Sequence, residues 1–99
     1  MHGRFVELVQ RQLDLFAEEY AGLIGDCEAA LAAYNRAPRE EAEERYGDYV
    51  DLVDAGREAL LGYRDAYSGG LDDDAAAEYE EVFDDLVRRR LPRFGLELD

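Results

Sequence analysis

A chain of 99 residues is one domain's worth, long enough to bury roughly two-thirds of its unfolded surface. Apolar residues make up 47% and charged residues 36%, and 25 acids against 11 basic residues leave a formal charge of −14. That composition excludes a spanning helix, which needs about 18–20 uninterrupted apolar residues, and it opposes direct binding to nucleic acid, because the field repels phosphate.

The pattern along the chain is helical throughout, with no sustained strand alternation. The first predicted helix covers about residues 4–35. Val6, Val9, Leu13, Phe16, Tyr20, Leu23, Cys27, Ala30 and Tyr34 step by alternating three and four, an unbroken heptad seam. Ala17, Ile24 and Leu31 widen it to the breadth of a bundle helix. Gly22 and Gly25 weaken the interior by about 1 kcal/mol each, so a bend or a close helix contact is expected there.

Ala37-Pro38 separates this helix from a second, about residues 38–68. Pro38 suits a first helical position, and Glu40 and Glu41 suit the positive helix start. The second seam reads Ala42, Tyr46, Tyr49, Val53, Gly56, Leu60, Tyr63 and Tyr67. Ser68-Gly69-Gly70 stops the helix, with glycine free to take a positive φ. One aspartate of Asp72-Asp73-Asp74 caps a third helix over about residues 72–91. Tyr79, Val82, Phe83, Leu86 and Val87 form its apolar face, and its end is basic with Arg88, Arg89, Arg90 and Arg93. Asp84 to Arg88 and Asp85 to Arg89 are favourable i,i+4 pairs. The tail, residues 92–99, alternates apolar and polar, which leaves a strand-like arm, a docked tail or disorder open.

The fold class expected is all-α: an antiparallel three-helix bundle made of a long hairpin and a shorter third helix, with the bundle over 1–91 and a C-terminal tail over 92–99. A short turn makes the two long helices neighbours. Folding the seams together pairs Val6 with Tyr67, Leu13 with Leu60, Phe16 with Gly56, Tyr20 with Val53, and Cys27 with Tyr46. Each long helix spans about 45 Å at 1.5 Å per residue, the third only about 30 Å. Running back from Gly70, the third helix covers the second only to about Tyr49. The end holding Cys27, Leu31, Tyr34 and Tyr46 then needs the tail or a second chain over it, most simply in a two-fold dimer.

A single cysteine, Cys27, allows no internal disulfide, which fits a reducing cytoplasm. The first residues run directly into a charged periodic segment, which is not the pattern of a secretory leader. The chain has no lysine, one isoleucine and fourteen alanines. Its acid excess resembles the proteomes of salt-loving archaea, a likeness of composition and not of family. At molar salt the Debye length falls to about 3 Å, and self-repulsion of such a surface largely vanishes.

Catalytic constellations are scarce. His2 is the only histidine, zinc and di-metal carboxylate sites lack their ligands, and Cys27 sits in the seam as a structural thiol. No enzyme activity, cofactor or metal is expected. Seven tyrosines, each with a large apolar body and a polar tip, suit half-buried and interface positions. The sequence names no specific biochemical function. The leading expectation is a non-catalytic protein–protein interaction or scaffold module, homodimeric, with Tyr34, Tyr46, Tyr49, Phe94 and Leu96 at the partner surface. The basic cluster of Arg88, Arg89, Arg90 and Arg93 balances the helix end or docks an acidic partner. The alternative is an acidic DNA mimic or antitoxin-like inhibitor of a basic protein. A small ligand-binding bundle using Tyr and Arg is a third reading.

Overall fold

The computed structural model describes residues 3–95, and they are helical without a strand. Four helices run in chain order: α1 Val6–Glu19, α2 Ala21–Arg36, α3 Arg39–Ser68 and α4 Asp73–Arg90. A single 3-10 turn, Pro92–Phe94, follows. The all-α class is as expected, but the count of three long elements is corrected to four helices.

The extra helix arises because the first seam breaks at Tyr20, where the backbone leaves the helical region at φ −110° and ψ 25°. Bonding continues on both sides: Tyr20 N–H donates to the Phe16 carbonyl at 2.8 Å, and Ile24 N–H to the Tyr20 carbonyl at 2.9 Å. The bend lies before Gly22 and Gly25. A Cβ on either glycine would meet nothing within 4 Å, so neither marks a close helix contact. The two halves of the seam serve different neighbours: α2 lies along α3, whereas α1 turns toward α4. The Phe16 and Tyr20 rings stack at 5.0 Å across the break, and the Tyr63 ring meets both edge-on.

Other boundaries follow local chemistry. Pro38 is the residue before the first turn of α3, not its first helical residue. The turn after Ser68 needs no left-handed residue: Gly69 is right-handed helical at φ −61° and ψ −20°, and among the described residues no glycine has positive φ. Leu71 N–H instead closes the turn on the Ser68 carbonyl at 3.0 Å. Asp72 is the cap of α4, its Oδ1 accepting from Ala75 N–H at 2.9 Å.

The core sits at one end. Val9, Leu13 and Phe16 of α1, Leu60 of α3, and Tyr79, Phe83 and Val87 of α4 are fully buried, with Cys27 and Phe94 beside them. Asp84 is the buried charge of this region, 4% exposed. Arg64 Nη1 donates to its two oxygens at 2.9 and 3.1 Å, so a sequestered ion pair ties α3 to α4, and Asp84 has Arg64 as its partner in place of the i,i+4 pair with Arg88 expected within α4. Asp85 takes both Arg88 and Arg89. The Tyr79 hydroxyl, also buried, donates to Gln12 Oε1 at 2.8 Å and ties α4 to α1.

The seam pairing is corrected in register. Phe94, not Phe16, occupies the space over Gly56: a Cβ there would collide with Cε1 of the ring and stand 2.8 Å from Cδ1 and 2.9 Å from Cζ. Phe16 packs edge-on against Phe94 at 5.8 Å instead. Among the rings, Phe5 meets Tyr67 edge-on at 6.5 Å and Tyr34 meets Tyr46 at 5.2 Å. Rotating α1 toward α4 breaks the single register that one continuous helix would have imposed.

The molecule measures 50 × 28 × 25 Å with a radius of gyration of 15.6 Å. A compact chain of this length has a radius near 13 Å. The excess is the far part of the α2–α3 hairpin, which projects beyond α1 and α4. From residue 28 to residue 55 no residue is buried.

Candidate functional site

The hairpin tip gathers three of the tyrosines singled out by the sequence. Tyr34 comes from the last turns of α2; Tyr46 and Tyr49, three residues apart, share one face of α3. Ring centroids of Tyr34 and Tyr46 stand 5.2 Å apart, and those of Tyr46 and Tyr49 6.1 Å, tilted by 57° and 44°. The three rings form a row along the cleft between the helices. Tyr46 is 49% exposed, and Tyr34 and Tyr49 are half-buried. Leu31 and Val50 beside them are also only partly covered and lie outside the core cluster.

Cover from the rest of the chain stops at Tyr49, as the helix lengths require. Arg93, in the 3-10 turn, donates from Nε to the Tyr49 hydroxyl at 3.1 Å, and its guanidinium carbon stands 5.8 Å from the Tyr49 ring centroid. The row of rings thus has an inner end already holding a cation and an outer end open.

The tail residues divide. Phe94 is 1% exposed, packed on Gly56 and Phe16, so it serves the core and offers no free partner surface. Its neighbour Pro92 starts the 3-10 turn that aims it inward, and Phe94 N–H closes that turn on the Leu91 carbonyl at 2.9 Å. Residues 92–95 therefore pack into the bundle and are not a tail apart from it. Leu96 lies outside the described residues.

The basic cluster is engaged within the chain. Arg88 and Arg89 reach Asp85 at 3.6 and 3.3 Å. Arg90 donates to Asp14 Oδ1 at 2.7 Å and to the Gln10 carbonyl at 3.1 Å, bracing α4 on α1. Arg88, Arg89 and Arg90 stay exposed while making these contacts, whereas Arg93 is half-buried against Tyr49.

The shifted thiol and hydroxyls are those that burial holds in the protonated form. Cys27 is fully buried, and burial pushes its thiol up, away from the thiolate a nucleophile needs. Tyr63 donates to Glu19, and burial together with that carboxylate pushes its hydroxyl up to about 12. Tyr79 is likewise raised to about 12 by burial. Both tyrosines hold their protons more tightly than free phenol, the opposite of an activated base. Among the described residues no group of three or more His, Cys, Asp or Glu could hold a metal ion, and no helix is long and apolar enough to cross a membrane.

Sequence reasoning missed the Arg64–Asp84 pair and the Gly56–Phe94 seat. The signal for the first was an aspartate between Phe83 and Val87, on the apolar face of its helix. The second had half a signal, a glycine at a seam position, with the wrong aromatic assigned to it. Searches against protein-family models, curated proteins and solved structures return no match.

Proposed function

We propose that this chain is a non-catalytic helical interaction module that docks a protein partner through the tip of the α2–α3 hairpin. The observation that carries the reading is the absence of any buried residue between positions 28 and 55, although Leu31, Tyr34, Tyr46, Tyr49 and Val50 all lie there. Two helices alone leave part of a wide apolar face open, and a further packed element closes it. The chain supplies that layer only as far as Tyr49. A partner layer on the outer stretch completes the packing.

The test separates docking from core-filling. Tyr46→Glu changes an exposed residue and shifts stability by no more than about 0.5 kcal/mol, or roughly 2–4 °C in Tm. A loss comparable to a core truncation, about 2–5 kcal/mol, assigns the tyrosine to the fold and removes the docking reading.

A second reading is favoured by one specific feature. Glu44, Asp48, Asp51 and Glu58 step along α3 by four, three and seven residues, all exposed. A line of carboxylates on a rigid helix resembles a run of phosphates, which supports an inhibitor of a basic nucleic-acid-binding protein. Binding of that kind rests on charge, so it falls steeply with salt.

A further inference from the structure

We infer that the outer tyrosines of the tip, Tyr34 and Tyr46, receive arginine side chains from a basic partner protein. The inference rests on the docking reading above and names the chemistry of its partner. Three observations converge on a cation. The first is the ring row itself: an aromatic face is electron-rich and attracts a guanidinium, and the Tyr46 ring is open to solvent. The second is charge. Residues 28–55 carry eight acids against three arginines, and one of those arginines, Arg45, is already occupied by Glu41 at 3.7 Å. Glu43 stands one turn before Tyr46 on its own face of α3, placed to pair with a cation seated on that ring.

The third observation is internal. Arg93 already lies over Tyr49 and donates to its hydroxyl, so this chain builds one guanidinium–tyrosine contact at the inner end of the row. Tyr46, the next ring out, has no such cation from within the described residues. A guanidinium is planar and weakly hydrated, so it stacks on a ring at less desolvation cost than an ammonium. A second copy of this chain fits the site poorly: two tips, each with a net charge of −5 over residues 28–55, repel.

The test uses the whole chain and a fluorescent arginine-rich helical peptide, with lysine and citrulline counterparts, read by anisotropy at about 0.15 M salt. The expected order is arginine over lysine, with no binding by the neutral citrulline peptide. Removing both rings, Tyr34→Ala with Tyr46→Ala, leaves the charge unchanged and weakens the arginine peptide on the order of tenfold, from about two- to fivefold per ring. Tyr34→Phe with Tyr46→Phe keeps the ring faces and retains the affinity. Equal affinities for the arginine and lysine peptides, or a double alanine variant within about twofold of the parent, overturn the inference and leave only diffuse charge attraction. Light scattering gives a separate outcome. A mass twice the 11.2 kDa chain, lost in Tyr46→Glu, makes a second copy the occupant; that overturns the arginine partner while keeping the tip as the docking surface. Collapse of the fold in Tyr46→Glu, by contrast, removes the docking reading itself.

Discussion

Adding one methyl group at Gly56 has the opposite sign from adding it at Gly62, six residues along the same helix. Alanine in an exposed helix interior is better than glycine by about 1 kcal/mol. At Gly62 a new Cβ meets nothing within 4 Å, so Gly62→Ala stabilises by about 0.5–1 kcal/mol and raises Tm by roughly 2–8 °C. At Gly56 the same Cβ enters the Phe94 ring, and the ring cannot retreat freely because Phe16 meets it edge-on and solvent reaches only 1% of the residue. Overpacking of this kind costs about 1–3 kcal/mol, and ejecting the ring forfeits up to about 3–5 kcal/mol. Setting the helix gain against either, Gly56→Ala is expected to destabilise by about 1–3 kcal/mol, or roughly 5–20 °C. Thermal and urea unfolding of both single variants, and of Gly56→Ala in a Phe94→Ala background, measure this. With the ring removed, the Gly56 methyl becomes neutral or stabilising, a coupling near 2 kcal/mol. If Gly56→Ala stabilises as Gly62→Ala does, Phe94 is not seated on α3, and the account of the tail as part of the core fails.

Three further outcomes test other parts of the fold. Asp84→Ala strands the Arg64 guanidinium in a site that is 14% exposed, with only Asp65 left beside it, and costs about 3 kcal/mol in urea unfolding; replacing both partners with apolar residues of similar volume recovers most of that loss. Because burial raises the Tyr79 hydroxyl to about 12 from an unfolded value of 10, the folded state holds the proton longer; stability is therefore full below pH 10 and falls between 10 and 12. Tyr79→Phe flattens that fall by up to one proton in a pH series of unfolding curves, and an unchanged slope refutes the assignment. Cys27 reacts with a thiol reagent only after unfolding; prompt labelling of the native chain shows that α2 is not packed there.

The sequence made the class, the approximate α3 and α4 boundaries and an aspartate cap within residues 72–74 legible, because they depend on local signals: period, proline, and a side-chain oxygen before a helix. The break at Tyr20 was not legible. Val6 to Tyr34 keeps perfect heptad spacing across it, and spacing records which residues are apolar, not which neighbour they face. Once α1 turns toward α4, Phe16 still meets Tyr63 of the second seam but packs on Phe94 as well, and the Phe16–Gly56 pairing expected of a straight helix gives way to Phe94 over Gly56. The end of the chain failed for a related reason. Phe94 follows Pro92 and sits among alternating polar residues, so nothing local marks it as core; only the missing side chain at Gly56, thirty-eight positions earlier, makes room for it.

The break at Tyr20 and the short reach of α4 together leave the stretch from residue 28 to residue 55 without a buried residue. Turning α1 away concentrates the buried residues at the end shared by α1, α4 and the 3-10 turn. Toward the tip, α3 is accompanied by α2, whose single buried residue is Cys27. Stability and exposure are thereby separated in space. The core end holds the buried residues while Tyr46 at the tip stays 49% exposed, so the stability of Tyr46→Glu tells a surface residue from a core one. That separation is a physical requirement for the docking reading, since a tip needed to fold the chain could not also be left open for a partner.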